Sequence, residues 1–233
     1  MRWTLMSLEH SMIFNIYSIV IVMIIYFNAL KFFNKDSLSD KLYMSALYTT
    51  ILMLGLDILS RFDGNSSIIY IVFNHAGNFL IFLLSPVLPS LWLAYVHYQV
   101  FCDERRTKRL FYPLCVINLI NAVALIFSQF FGWYYYIDSE NVYHRGTFFF
   151  FPVFITIMLM FAAFIIIIIN HKNMGKRNFF FLAFFVIPPL ISIIIQIKFS
   201  GILIILNSLV LSLLVLFLTL QNRSMYTDYL TGV

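Results

Sequence analysis

Charged residues are scarce in this 233-residue chain, at 11% of the sequence, whereas soluble domains carry about 25%. Together with a hydrophobic fraction of 62% and a mean hydropathy of +0.91, this scarcity excludes an ordinary soluble domain. Cysteine is also rare. Cys102 and Cys115 are the two present, and they provide neither a disulfide framework nor the spacing of a cysteine metal site.

The sequence lacks the motifs that carry common catalytic chemistry. It contains no H-E-x-x-H metal motif, no G-x-S-x-G nucleophile elbow, no P-loop and no Rossmann glycine pattern. The last apolar run, residues 201–221, has no lysine to which retinal could attach. We therefore expect that this chain is not an enzyme and that it uses no cofactor and no metal.

Long apolar runs, in contrast, are abundant, and several exceed the roughly 18 residues that cross a bilayer about 30 Å thick. They lack the short alternating pattern of a membrane β-barrel. The sequence predicts an all-α polytopic membrane protein, a bundle of seven transmembrane helices. We expect the third span to kink at Pro86 and Pro89, and Pro188 and Pro189 to break the sixth. The predicted spans are residues 11–33, 41–60, 67–101, 110–130, 147–170, 179–199 and 201–221.

The positive charges indicate how the bundle is oriented. Most of the 15 lysines and arginines lie at the joints that follow spans one, three, five and seven. Because short cytoplasmic loops carry an excess of lysine and arginine, the N-terminus is expected outside and the C-terminus in the cytoplasm. The basic residues at these joints set the topology and account for the net charge of +5, so no nucleic-acid partner is expected.

Polar side chains are costly inside a membrane, so their positions are informative. They concentrate in the predicted outer half of the bundle. One interpretation is a pocket that opens to the outside and binds a small molecule or a lipid; the other is hydrogen bonding between helices. The candidate ligand-binding residues are Asp57, Asn74, His75, Asn78, Asn121, Gln196 and Asn207, with Tyr135 and Tyr143 of the longest outer loop.

Two of these candidates have a second interpretation. Asp57 lies one helical turn before Arg61, so it either pairs with that guanidinium or binds a cationic or hydroxylated ligand. His75 is either hydrogen-bonded to Asn78 or a proton or metal sensor.

The longest predicted outer loop is "GWYYYIDSENVYHRG", residues 132–146. Residues 134–137 and 141–145 flank a polar turn, which predicts a short β-hairpin. Its tyrosines and tryptophan fit either a belt at the membrane interface or a lid over the pocket.

Two stretches resemble known signalling proteins. "YIDSENVYHRG", followed by a phenylalanine-rich span, resembles the outer loop of amino-terminal seven-helix sensor regions that are fused to histidine kinases and diguanylate cyclases in bacteria. In "TDYLTGV" the residues Asp228, Leu230, Thr231 and Gly232 match the D-x-L-T-G-L phrase that begins a GGDEF domain. The catalytic residues of that family lie farther downstream and match no position here.

The resemblance implies a seven-helix membrane sensor domain at residues 1–221, and a linker with the first residues of a truncated GGDEF domain at 222–233. It also implies a multi-pass protein of the bacterial cytoplasmic membrane that regulates cyclic di-GMP synthesis. A homodimer is expected because two GGDEF domains must face each other to join two GTP molecules. The alternatives are the sensor region of a histidine kinase, a transporter or channel, and a purely structural anchor.

Overall fold

The computed structural model describes residues 2–34, 36–198 and 204–231, without the side chains of 2–11, 32, 173, 177, 196–198 and 223–231. Eight α-helices, one short 3-10 helix and one two-stranded sheet make up this described part. In chain order they are α1 (Arg2–Phe32), α2 (Leu38–Leu59), α3 (Ile68–Leu84), α4 (Val87–Phe101), α5 (Glu104–Phe131), β1 (Tyr135–Ile137), β2 (Tyr143–Arg145), α6 (Phe150–Ile169), the 3-10 helix (His171–Asn173), α7 (Lys176–Lys198) and α8 (Ile205–Thr231).

Seven helical segments of the described chain are long and apolar enough to cross a membrane, which confirms the predicted all-α seven-helix bundle. The helix is the natural form for these runs because it satisfies every backbone hydrogen bond within the segment. The start of α5 differs from the prediction, because this helix begins at Glu104 instead of residue 110. Asp103 caps this helix by accepting a hydrogen bond from the Arg106 backbone N–H, so the basic joint forms its first turns.

The third membrane segment is interrupted, as predicted, at Pro86. Helix α3 ends at Leu84 and α4 begins at Val87, so Pro89 lies in the first turn of α4, where a missing N–H costs nothing. The corresponding prediction for the sixth span is wrong. Helix α7 continues from Lys176 to Lys198 with Pro188 and Pro189 inside it.

Helix α2 lies at the centre of the bundle, where it packs against α1, α3, α4 and α8. Its Leu47 and Leu54 are fully buried in a core that also includes Val96 of α4 and Leu213 of α8. Helix α5 is peripheral, with only 17% of its most apolar stretch buried. Its broad exposed apolar face suits contact with lipid.

The bundle has two distinguishable ends. At one end, Gln99 near the end of α4 donates a hydrogen bond to Ser39 at the start of α2, over 2.7 Å. The lysine-containing joint before α2 and the arginine-rich joint before α5 therefore lie at the same end, which we call the basic end. The hairpin β1–β2 and the α2–α3 connection form the opposite end, the hairpin end. Which side of the membrane each end faces stays a prediction.

Helices α2 and α3 approach closely at Gly77, and this contact gives a test of the packing. A Cβ on Gly77 would lie 2.6 Å from the Ser60 backbone nitrogen and 2.9 Å from the Leu56 carbonyl oxygen. We expect Gly77→Ala to destabilise the bundle by about 1–3 kcal/mol, because both contacts are to rigid backbone. The measurement is the midpoint of thermal unfolding of the protein in detergent micelles.

Gly55 of α2 provides the matched control, since a Cβ there meets no atom within 4 Å. Gly55→Ala should leave the midpoint unchanged or raise it, because alanine is favoured over glycine in a helix by about 1 kcal/mol. Equal stability of the two variants would show that α2 and α3 are not held this closely.

Candidate functional site

The loop after α5 forms the predicted hairpin. Strands β1 and β2 pair antiparallel, with Tyr135 opposite Arg145 and Ile137 opposite Tyr143. The Asp138 carboxylate organises the turn by accepting the backbone N–H groups of Glu140 and Val142, at 3.0 and 2.9 Å.

Across the hairpin, His144 Nε2 donates to the Asp138 carboxylate over 2.7 Å. This hydrogen bond, reinforced by the two backbone N–H groups, lowers the pKa of Asp138. The turn is therefore held by an ionised carboxylate down to acidic pH.

Asn141 ties the hairpin to the connection between α2 and α3. Its side chain is buried, and its amide donates to the carbonyl oxygens of Phe62 and Asn65 at 2.8 and 2.9 Å. Its Oδ1 accepts a hydrogen bond from Asn74 of α3 at 3.0 Å. Asn141 has a φ of 61°, a left-handed conformation that asparagine tolerates better than most residues. One side chain thus joins the hairpin, the α2–α3 connection and α3.

The underside of the hairpin packs on α3 and α5 through aromatic rings. Tyr135 stacks on Phe82 of α3 with ring centroids 5.1 Å apart, and on Tyr143 at 5.8 Å. Burial raises the pKa of Tyr135 to about 12, so its hydroxyl stays neutral and donates to Gln129 of α5. The hairpin is therefore a fixed cover over this part of the bundle.

A cavity of about 660 Å³ lies beneath this cover. Its volume falls in the range of about 300–1,000 Å³ that is typical of small-molecule sites. The wall comes from helices α2, α3, α4, α6, α7 and α8, and from strand β2. Along α2 it extends from Leu42 to Asp57, about 22 Å at 1.5 Å per residue.

The polar part of the cavity lies at the hairpin end, around Asp57 and Arg61. Asp57 is buried, with 6% of its surface exposed, and it accepts a hydrogen bond from Asn15 of α1 at 2.5 Å. The Arg61 Nη2 atom lies 3.4 Å from the same carboxylate. The salt bridge that the spacing allowed is therefore formed, and Asp57 also lines the cavity. Asp63, Tyr143, His144 and Arg145 complete this end.

The deep part of the cavity is apolar and aromatic. Trp92 of α4 stacks on Phe185 of α7, with ring centroids 3.5 Å apart, and on Tyr95 at 5.5 Å. Tyr43 of α2 donates its hydroxyl to the carbonyl oxygen of Leu213 in α8, at 2.7 Å. This wall suits the hydrocarbon part of a ligand.

Of the eight candidate residues whose side chains the structure describes, three lie on the cavity wall, namely Asp57, Asn78 and Tyr143. His75 points away from the bundle and is exposed. The hydrogen bond considered between His75 and Asn78 is not seen, because the Asn78 amide donates instead to the carbonyl and side-chain oxygens of Asn74.

The other candidates serve contacts outside the cavity wall. Asn74 and Tyr135 hold the hairpin, and Asn121 of α5 donates to the Phe82 carbonyl oxygen at 2.9 Å. Asn207 of α8 accepts a hydrogen bond from Ser18 of α1 at 2.6 Å. The side chain of Gln196 lies outside the described residues.

The positions of the polar residues in the sequence do not indicate the aromatic wall. Trp92, Tyr95 and Phe185 resemble lipid-facing filler in the sequence, because hydrophobic residues face lipid and protein alike in a membrane helix. The nearest sequence indication is Pro86 with Pro89, which precede Trp92, since prolines kink or interrupt a helix. Asn141 was also missed, because asparagine is common in turns, where its side chain hydrogen-bonds the nearby backbone.

Asn141 provides a direct test of the hairpin cover. We expect Asn141→Ala to release the hairpin, because the carbonyl oxygens of Phe62 and Asn65 lose their partner, at about 1–3 kcal/mol for each buried group, and the Asn74 amide loses one of its acceptors. Hydrogen exchange of the backbone amides in residues 134–146 should become faster. The exposed turn residue Ser139 is the control, and Ser139→Ala should leave the exchange unchanged. Unaltered protection in Asn141→Ala would exclude Asn141 as the anchor.

No match to this chain was found among protein families, curated proteins or solved structures.

Proposed function

We propose that this chain is a membrane sensory domain that binds a small ligand in the cavity and regulates a cytoplasmic diguanylate cyclase. The observation that carries this proposal is the path of α8. The helix lines the cavity with Leu209, Leu213 and Leu216, and it continues without interruption to Thr231. The sequence becomes polar beyond Gln221, with Asn222, Arg223 and Asp228, so the last turns of this helix extend beyond its apolar part.

Helix α8 is well placed to respond to the content of the cavity. It packs against α7, and Ser212 donates a hydrogen bond to the Phe185 carbonyl oxygen at 2.9 Å. Phe185 forms part of the aromatic wall, and Leu213 accepts the Tyr43 hydroxyl. A ligand that fits one arrangement of α7 and α8 better than another shifts the population toward that arrangement by its difference in affinity.

The end of α8 supports the identity of the output. Asp228, Leu230 and Thr231 of the D-x-L-T-G phrase belong to this helix, and Gly232 lies outside the described residues. In the proposed arrangement, the helix that contacts the ligand leads straight into the start of a GGDEF domain. The protein would act as a homodimer in a bacterial cytoplasmic membrane, because joining two GTP molecules requires two such domains.

The rotational phase of α8 tests this coupling. An α-helix turns 100° per residue, so two alanines inserted after Asn222 rotate everything beyond them by about 200°, whereas seven inserted residues restore the phase to within about 20°. We expect the two-residue insertion to change the basal cyclic di-GMP level of cells that express the full-length protein. The seven-residue insertion should restore the original level. The measurement is cyclic di-GMP by mass spectrometry, at matched protein abundance.

A cyclic di-GMP level that is the same with the two-residue and the seven-residue insertion would contradict the proposed coupling.

A second experiment addresses the sensory role itself by exchanging residues 1–221 for an unrelated membrane anchor. We expect this exchange to remove the regulation of cyclic di-GMP synthesis while the protein stays in the membrane. Unchanged regulation would assign the bundle to anchoring alone.

A further inference from the structure

The charged side chains of the described cavity wall balance each other. The wall includes two carboxylates, those of Asp57 and Asp63, and two guanidinium groups, those of Arg61 and Arg145. These charges sum to zero, so the wall favours neither an anionic nor a cationic ligand. An ion that leaves water for such a site loses its hydration and gains no net counter-charge. A charged ligand group is therefore disfavoured, whichever sign it carries.

The carboxylates of this wall are engaged by donors of the protein. The Asp57 carboxylate accepts a hydrogen bond from Asn15 and lies 3.4 Å from the Arg61 Nη2 atom. Asp63 Oδ1 accepts the backbone N–H of Tyr143 at 2.7 Å. A cationic headgroup would therefore have to compete with these donors.

The basic side chains are engaged as well. Arg61 pairs with Asp57, and the Arg145 guanidinium lies 4.6 Å above the ring of Phe149. His144, which also lines the cavity, donates to the Asp138 carboxylate of the hairpin turn over 2.7 Å. An anionic headgroup would therefore compete with a carboxylate or an aromatic ring of the protein.

Beyond the polar end, the wall suits a hydrocarbon chain. The cavity extends about 22 Å along α2, and Trp92 and Phe185 stack within its apolar part. The hydroxyl groups of Tyr43, Ser60 and Ser85 each donate to a backbone carbonyl oxygen of the protein, at 2.7, 2.9 and 3.0 Å. A compact polar molecule would find few groups to bond here, whereas a long chain fills the apolar length.

We infer that the cavity binds an uncharged long-chain alcohol. Its hydroxyl group lies at the Asp57–Arg61 pair, and its chain extends along Trp92 and Phe185. A hydroxyl group is both a donor and an acceptor and carries no charge, so it suits an end where carboxylate and guanidinium groups lie together. This inference rests on the proposed function only in taking the cavity as the ligand site.

Probes that share one hexadecyl chain test the preference for an uncharged headgroup. The chain is purified into phosphatidylcholine nanodiscs and labelled with a diazirine-bearing hexadecanol. Hexadecanol, hexadecyl sulfate and hexadecyltrimethylammonium then compete for the labelling at equal mole fraction in the membrane. We expect labelled peptides from α2, α4 and α7, and competition by each charged probe about tenfold weaker than by hexadecanol, because a buried charge loses its hydration.

Two further probes separate charge from headgroup size. Hexadecyl glyceryl ether has a larger headgroup that is uncharged, and hexadecylphosphocholine has a large zwitterionic one. We expect the glyceryl ether to compete to within about threefold of hexadecanol, and hexadecylphosphocholine to compete as weakly as the charged probes.

Substitutions that unbalance the wall should change the preference in a direction set by their sign. Asp57→Asn leaves an excess positive charge, so hexadecyl sulfate should gain about tenfold on hexadecanol, whereas Arg61→Gln should favour hexadecyltrimethylammonium by a similar factor. The control is Glu104→Gln, an exposed residue of the basic end that does not line the cavity. It should leave every ratio unchanged.

A pair of methionines in α6 tests whether the probe lies in the cavity. Met160 is buried and lines the cavity, whereas Met158 is 51% exposed on the outer face of the same helix and does not line it. We expect Met160→Trp to fill part of the cavity and reduce the labelling at least severalfold. Met158→Trp should leave the labelling unchanged.

Equal or stronger competition by either charged probe in the unsubstituted protein would overturn the inference. Competition by hexadecylphosphocholine equal to that of hexadecanol would assign the cavity to a zwitterionic lipid and also overturn it. These results are ratios within one protein, so the unsubstituted protein decides the question even where a variant fails to fold. Binding is measured without an output domain, so a failure of the cyclic di-GMP experiments would leave this result unaffected.

Discussion

Every backbone N–H and C=O inside a bilayer must find a partner within the protein, and the structure of this chain depends on that constraint. It makes the apolar runs helical, and it also governs the place where a helix stops. At the Pro86 interruption, Ser85 donates its hydroxyl to the Phe82 carbonyl oxygen and Ser90 donates to that of Pro86, at 3.0 and 2.7 Å. Asn121 of α5 adds a donor to Phe82. Side chains therefore pair two carbonyl oxygens at the interruption, which contributes Ser85, Leu88 and Pro89 to the cavity wall.

The same constraint divides the polar side chains between two tasks. Asn74, Asn121 and Asn141 satisfy backbone and side-chain groups where the hairpin meets the helices, so their role is to hold the cover in place. Asp57 and Arg61 pair with each other and line the polar end of the cavity. The apolar wall around Trp92 is built from packed aromatic rings.

In the proposed function, few structural elements connect the ligand to the output. A hairpin fixed at Asn141 covers the cavity, and α7 and α8 complete the wall and share the Ser212 hydrogen bond. In the proposed function, a ligand in the cavity stabilises one placement of α8, and the helix carries that placement to the residues around Asp228. The energy available for regulation equals the difference in affinity of the ligand for the two placements.

The sequence alone determined the features that depend on local chemistry. Apolar run length gave seven helices, Pro86 gave the interruption, and the turn at residues 138–140 gave the hairpin. The hydrogen bond between Gln99 and Ser39 places the basic joints before α2 and α5 at the same end of the bundle, which agrees with the alternation of charge along the sequence. Only the tertiary structure decided where the cavity lies. Trp92 and Phe185 are far apart in the chain and look like any lipid-facing residues, because lipid and protein interior favour the same side chains. Whether such a residue faces the membrane or a cavity is set by which helices become neighbours.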